Sequence, residues 1–268
     1  MEAWWRLGVF LGMFAVLAVW EARRPRRPWA QRKRTRWGVN LGLTVLDTLC
    51  VRLTVGAIAV QTALLAQRQS WGLLPLLHIP PWANILLSLL VLDGAIYVQH
   101  VAVHAFPLLW RVHLVHHTDM DFDVTTGLRF HPLEIVLSML YKAAFVLLLG
   151  AHPAAEIAFE MLLNATSQFN HSNVGLPARV ERLLRYILIT PDVHRIHHSV
   201  LAMEMRANFG FSVPVWDRLC GTYRDQPAQA HTTMLLGVDG YQAPYPLGLM
   251  QLLGLPFRPP LAYVRTTE

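Results

Sequence analysis

Residues 81–117 read PWANILLSLLVLDGAIYVQHVAVHAFPLLWRVHLVHH, an apolar run that leads straight into five histidines. At about 1.5 Å of rise per residue, the stretch from Pro81 to Gln99 covers roughly the hydrocarbon thickness of a bilayer. Its end delivers His100-x-x-x-His104, and the next turns supply His113-x-x-His116-His117. Residues three or four apart share one face of a helix, so each cluster aims two or three imidazoles at one point. A spanning helix that ends in histidines decides the fold class: an all-α, multi-pass transmembrane bundle with a helical cap carrying the chemistry at one membrane face.

The same spacing returns as His194-x-x-His197-His198, so eight of the thirteen histidines lie in three clusters. Neutral imidazoles stacked without a metal leave nitrogens unpaired or mutually repelling, which is costly in a partly desolvated site. The clusters are therefore read as metal ligands. His78, His152 and His231 stand alone and are read as ordinary core or surface histidines.

Composition sets the surroundings: 54% of the residues are apolar, 15% are charged, and the apolar ones come in blocks, as in a membrane protein. Further spans are expected at Trp4–Trp20, at about Trp37–Ala66, at Leu133–Leu149 and at Pro153–Gln168, giving four to five membrane helices; the last two are short enough to form a re-entrant pair instead. The first segment lacks a strong basic leader and a small-x-small cleavage site, so it reads as a retained anchor. Eight basic residues lie between Arg23 and Arg36, against Arg68 alone between Gln67 and Pro80. The positive-inside rule places the arginine loop in the cytoplasm. Between two spans, such a run is juxtamembrane and not a nucleic-acid site. Counting onward, the 81–99 helix runs inward to the cytoplasmic boundary, helices four and five go out and back to Asn170-His171, and His194, His197 and His198 follow on the same side. All three clusters meet at one face.

Two helices carry polar stripes. Asp93, Tyr97, His100 and His104 are spaced 4, 3 and 4, and Glu156, Glu160, Asn164, Gln168 and His171 repeat the pattern on the fifth helix. Ionisable groups inside a bilayer usually face a functional interior; the alternative is that the carboxylates simply pair with Lys142. His171 ends the second stripe at the depth of the clusters and joins them as a ninth ligand. Nine imidazoles exceed the four to six ligands of one ion, and without thiolates a structural zinc site is disfavoured, so two ions fit better. Imidazole suits iron, zinc and copper alike, and the spacing does not name the metal.

The order of motifs is more specific. Asp93-x-x-x-Tyr97-x-x-His100-x-x-x-His104 precedes Pro107-Leu-Leu-Trp110-Arg-x-His113-x-x-His116-His117 and Thr125-Thr126-x-x-Arg129-Phe-His131-Pro132. Asn170-His171-Ser-Asn173, Thr190-Pro-Asp192-x-His194-Arg-x-His197-His198, Asn208-Phe-Gly210 and Trp216-Asp217-Arg-x-x-Gly221-Thr-Tyr223 follow. Over residues 93–223 this resembles the fatty acid hydroxylase and sterol desaturase superfamily of integral-membrane, non-haem di-iron enzymes; outside them only hydropathy matches. The resemblance implies an oxidoreductase in which two iron ions, replaceable by zinc on overexpression, use O2 to hydroxylate or desaturate a C–H bond of a sterol, fatty acyl or related lipid, or to cleave an ether lipid oxidatively. It implies His100, His104, His113, His116, His117, His171, His194, His197 and His198 as ligands, with His131 either a ligand or a group behind one. Asp93, Asp192 and Asp217 are expected to orient imidazoles by accepting their second N–H, and Gln168 or Asn170 to hold a bound water. Val101, Gln99 and Leu219-Cys220 depart from the family's usual residues without removing a ligand.

The chain has no G-x-G-x-x-G loop and no cysteine cluster, so a ferredoxin, cytochrome or separate reductase is expected as electron donor. Cys50 and Cys220 suggest no disulfide. Three regions are expected: an N-terminal anchor with its basic loop over 1–80, a catalytic region over 81–225 and a cytoplasmic tail over 226–268. The expected setting is a bacterial cytoplasmic membrane, with the site on the cytoplasmic face. Two other classes compete: a membrane metal carrier, which needs ligands strung along a path, and a metal-dependent lipid hydrolase, which needs a carboxylate base and no O2.

Overall fold

The computed structural model describes residues 2–243 and 246–258, and among them the regular elements are helical apart from two isolated bridges, Pro25–Val174 and Ser199–Leu236. The long helices are α1 (Glu2–Arg23), α2 (Lys33–Thr54), α3 (Ile58–Gln69), the short α4 (Leu73–Leu76), α5 (Pro81–Ala105), α6 (Pro107–His117), α7 (Pro132–Leu149) and α8 (Pro153–Asn170). A cap follows, built from α9 (Ala178–Leu184), α10 (Pro191–His197), α11 (Ala202–Met205), α12 (Val215–Cys220) and α13 (Leu249–Gly254).

Proline opens α5, α6, α7, α8 and α10. At the first helical position its missing N–H is no loss, while the residue before it is driven into an extended conformation, so each proline ends one direction and starts another. Phe106, at φ −96° and ψ 121°, does this between α5 and α6 and folds the second histidine cluster back over the first.

Among the described residues, four segments are long and apolar enough to cross a membrane: Trp4–Arg23, Lys33–Leu76, Pro81–Ala105 and Pro132–Leu149. The second is not the single helix expected over 37–66. It breaks between α2 and α3, where Gly56 takes a left-handed φ of 55° after the β-branched Thr54-Val55 pair, a weak helix continuation. The expected fifth span forms as α8 but is not among the four. It packs against α1, α3 and α5, with Glu156 and Glu160 buried. Lys142 of α7 pairs with both carboxylates, and Arg6 of α1 pairs with Glu160. The first half of the α8 stripe is thus an ion-pair group, and of the stripe only His171 joins the histidines.

The two ends of the bundle differ. At the far end the α3–α4 connection lies against the α7–α8 hairpin so closely that a Cβ on Gly72 would fall 2.1 Å from the Gly150 nitrogen. At the near end the arginine-rich segment folds onto the 119–126 loop and is not a solvated tether. Asp121 accepts the N–H groups of Ala30 (2.8 Å) and Gln31 (2.9 Å), and the fully buried Arg36 pairs with Asp119 (2.8 Å) and with Asp123. Residues in 230–243 and 246–257 also pack inward: Met234 and Leu236 bury Phe122, and Leu252 and Leu255 join Trp110 and Leu114.

Candidate metal centre

The nine cluster histidines come together where α5, α6, α8 and α10 converge, and they sort into two sets. His100, His104, His113, His117 and His197 form one; His116, His171, His194 and His198 form the other, with ligand nitrogens inside each set within 4.8 Å of one another. Neighbours in sequence are divided: His116 and His117 face different sets, and so do His197 and His198. Successive helix residues point about 100° apart, so a His-His step naturally straddles two adjacent centres.

Five of the rings are oriented by oxygen acceptors behind them. Nδ1 of His100 donates to the Phe209 carbonyl (2.7 Å), that of His113 to Glu134 Oε1 (2.6 Å) and that of His116 to the Arg129 carbonyl (3.2 Å). Nδ1 of His171 donates to the Ser167 carbonyl (2.8 Å) and that of His197 to the Ala207 carbonyl (2.8 Å). With Nδ1 carrying the proton, Nε2 is a bare lone pair facing inward. Nε2 of His116 and of His171 lie 3.1 Å apart, two lone pairs with no proton between them. Nε2 of His100, His104, His113 and His197 and both nitrogens of His117 and His198 are buried without a partner. A cation placed among them would satisfy these nitrogens together. Each set is arranged to hold a metal ion, and all-nitrogen donors suit iron, zinc or copper.

Electrostatics keep the ligands ready. Burial, reinforced by neighbouring imidazoles, pushes the pKa of His116, His117, His194 and His198 well below the ordinary 6.5. Burial brings His171 to about 4 and His197 to about 3. At neutral pH these rings are uncharged, the form that binds metal. Around them, Phe130 stacks on His116 at 4.6 Å and 6° between planes, and buried Phe122 lies 5.1 Å from His198. His104 alone among the nine is half-buried.

Arg129 supports the site from behind. Fully buried, it donates through Nε to the Val115 carbonyl (2.9 Å), and through its other nitrogens to Asn40 Oδ1 (2.8 Å) and Thr118 Oγ1 (3.0 Å). Burial opposes ionisation of Asp119, but Arg36 and Arg129 outweigh it and hold its pKa below the usual carboxylate value. This network joins α2 to the carbonyl that orients His116.

The expected roles of Asp93, Asp192, Asp217 and His131 are corrected. Asp93 accepts from Trp216 Nε1 (3.0 Å), and Asp192 binds Arg26 (2.9 Å) and Arg195 (2.5 Å); neither hydrogen-bonds a cluster imidazole. Asp217 accepts the N–H groups of Phe209 and Gly210, both at 2.8 Å, so it reaches His100 only through the backbone that presents the Phe209 carbonyl. Gln168 donates to the Phe10 carbonyl (3.4 Å) and Asn170 to that of Phe211 (2.8 Å), each leaving a buried oxygen without a partner. His131 lies in neither set. Its Nδ1 caps α7 by accepting the Leu133 N–H (3.1 Å), and its Nε2 donates to the Leu253 carbonyl (3.2 Å). Both nitrogens are spent, as expected of the residue before a helix-opening proline. The carboxylate that does orient a ligand is Glu134, one turn into α7. Its one sequence signal was an acidic residue just after His131-Pro132.

An all-helical chain with helices long and apolar enough to span a bilayer and a buried polyhistidine centre has the architecture of a membrane protein whose histidines could hold metal. Residues 85–222 match the model of the fatty acid hydroxylase family, and the chain belongs to that family. It is 26% identical over 270 residues to the ornithine lipid hydroxylase OlsE of Rhizobium tropici, covering 96% of this chain and 77% of that protein. The human alkylglycerol monooxygenase is 28% identical over 51% of this chain and 29% of its own length. Human cholesterol 25-hydroxylase is 30% identical over 57% of this chain and 53% of its own length. No solved structure matches the chain. These relatives are, by name, lipid hydroxylases and monooxygenases.

Proposed function

We propose that the protein hydroxylates a C–H bond of a membrane lipid in an O2-dependent reaction, with two iron ions held by the five- and four-histidine sets. The observation that carries this reading is the pairing of outward Nδ1 donors with inward, unpartnered Nε2 atoms in two abutting groups. Bound there, iron supplies the one-electron and O2 chemistry that an unactivated C–H bond requires. The chain's own residues gather nine imidazoles and fix the tautomer of five of them, with the Glu134 carboxylate behind His113. Phe130, Phe122, Phe209 and Phe211 keep water from the centre. Hydroxylation is preferred to desaturation because the relatives above are hydroxylases and monooxygenases by name.

Further parts of the proposal follow from the setting. The substrate enters from the bilayer, since a lipid reaching the centre that way never crosses water. Electrons come from a separate donor such as a ferredoxin or cytochrome system. The arginine-rich segment and the histidine centre, which pack together, face the cytoplasm of a bacterial cell.

The test combines metal analysis with lipid profiling. Purified wild-type protein is expected to hold close to two irons per chain, and cells carrying the gene to accumulate, in air but not under argon, a lipid with one added oxygen that derives from labelled O2. His117→Ala and His198→Ala are expected to lose metal and product while still inserting into the membrane, whereas His78→Ala and His231→Ala keep their metal. Equal metal loss in His231→Ala, or product formed under argon, overturns the reading.

A further inference from the structure

The cap carries an apolar edge that has no cover among the described residues. Leu183 is 70% exposed, Tyr186 66%, Ile187 67% and, on α12, Leu219 72%. Val180, Leu183 and Ile187 follow one another at spacings of 3 and 4, on α9 and the turns that continue it to Leu188. α12 is tied to this segment: the Arg218 guanidinium donates to the Arg185 carbonyl (3.3 Å) and lies over the Tyr186 ring at 5.1 Å. Single exposed apolar residues are ordinary, but a contiguous group marks an interaction surface.

Depth and charge say what the surface meets. α12 docks on the spanning helix α5, where Trp216 Nε1 donates to Asp93 Oδ2 at 3.0 Å and the indole fills the space a Cβ on Gly94 would need, at 2.9 Å. Thr222, just past α12, bonds the Tyr97 hydroxyl at 3.0 Å. Asp93 and Gly94 lie about two turns farther from the cap than His100, on the order of 10 Å along the axis. Through Trp216, α12 therefore reaches down beside α5, a helix long and apolar enough to cross a membrane, to below the level of His100. Beside the apolar stripe, Arg179 and Arg182 are exposed and form no ion pair among the described residues, whereas Arg185 is held by Glu181 (2.7 Å). An apolar face bordered by unpaired guanidiniums is the pattern of a segment lying in the headgroup layer of an anionic leaflet.

We propose that residues 178–188 and 215–220 form a membrane-interface element, with Leu183, Tyr186, Ile187 and Leu219 in the acyl boundary and Arg179 and Arg182 on anionic headgroups. The proposal stands apart from the reaction and the metal. It places one side of the cap inside the leaflet, where the sequence alone assigned this part of the chain only to the cytoplasmic side.

Cys220, exposed at the end of α12, is a native reporter once Cys50 is replaced by alanine. Ile187→Cys in a background lacking both native cysteines is the second. Each is labelled with bimane, checked to keep the unlabelled protein's thermal midpoint, and reconstituted into vesicles of phosphatidylcholine and phosphatidylglycerol. A nitroxide carried near the top of a lipid acyl chain is expected to remove most of the fluorescence at both positions, and aqueous iodide little of it. Strong iodide quenching with weak lipid quenching overturns the proposal. Omitting phosphatidylglycerol is expected to weaken the lipid quenching at Ile187→Cys, and an added Arg179→Gln/Arg182→Gln pair to abolish that dependence; quenching indifferent to phosphatidylglycerol overturns the assignment of the arginines.

Discussion

Glu134 is the smallest unit on which the centre depends beyond its ligands. Its carboxylate sits 2.6 Å from His113 Nδ1 and fixes which nitrogen faces inward. Glu134→Ala is expected to lower metal affinity by about 10- to 100-fold, the usual cost of losing such a partner, while Glu134→Gln, which still accepts the N–H, loses less; equilibrium dialysis of metal against a chelator series measures both. Acid acts on the rings directly. His171 at about 4 and His197 at about 3 lie below the ordinary 6.5, so the fold binds fewer protons than the unfolded chain between those limits. Stability of metal-depleted protein is therefore complete above pH 6.5 and lost as pH falls toward 4. Thermal midpoints taken between pH 7.5 and 4.5 should fall steadily, and a rise on acidification would contradict the assignment. The histidines were legible because i, i+3 and i+4 spacing is a property of the chain itself. Asp93, Asp192 and Asp217 were given the wrong neighbours because a partner far along the chain, such as Trp216 or Arg26, is chosen by packing, and no spacing encodes it.

Helices show the same division. Starts were readable wherever proline follows an extended residue, as at α5, α7 and α8. The break at Gly56 was not readable, because hydropathy runs unbroken through it and only backbone geometry reveals the turn. α8 was read as a span with a functional stripe, yet half of that stripe is charge balance with Lys142. Lys142→Met leaves Glu156 buried without its cation, an uncompensated charge worth on the order of 3–5 kcal/mol. A large drop in thermal midpoint in detergent is expected, with partial recovery when Glu156→Gln and Glu160→Gln are added; no drop would mean the carboxylates are paired elsewhere.

Across the whole molecule, the near and far ends are set by what each loop touches. The arginine segment is locked to the histidine end and the Gly72–Gly150 contact closes the other. In a background without Cys50 and Cys220, Thr35→Cys and Ser70→Cys are expected to react with an impermeant maleimide from opposite faces of the membrane, Ser70→Cys from the outside; labelling from one face alone would break the topology. The division of each His-His step between the two sets has a consequence for how the centre fills. The two sets are not independent: α5 serves only the five-histidine set and α8 only the four-histidine set, but α6 and α10 each serve both, so a shift that empties one set drags the other's histidines with it. Occupancy should then be all-or-none. Native mass spectrometry of partly loaded protein should find chains with no ion and chains with two, few with one, and a steeper-than-hyperbolic uptake curve.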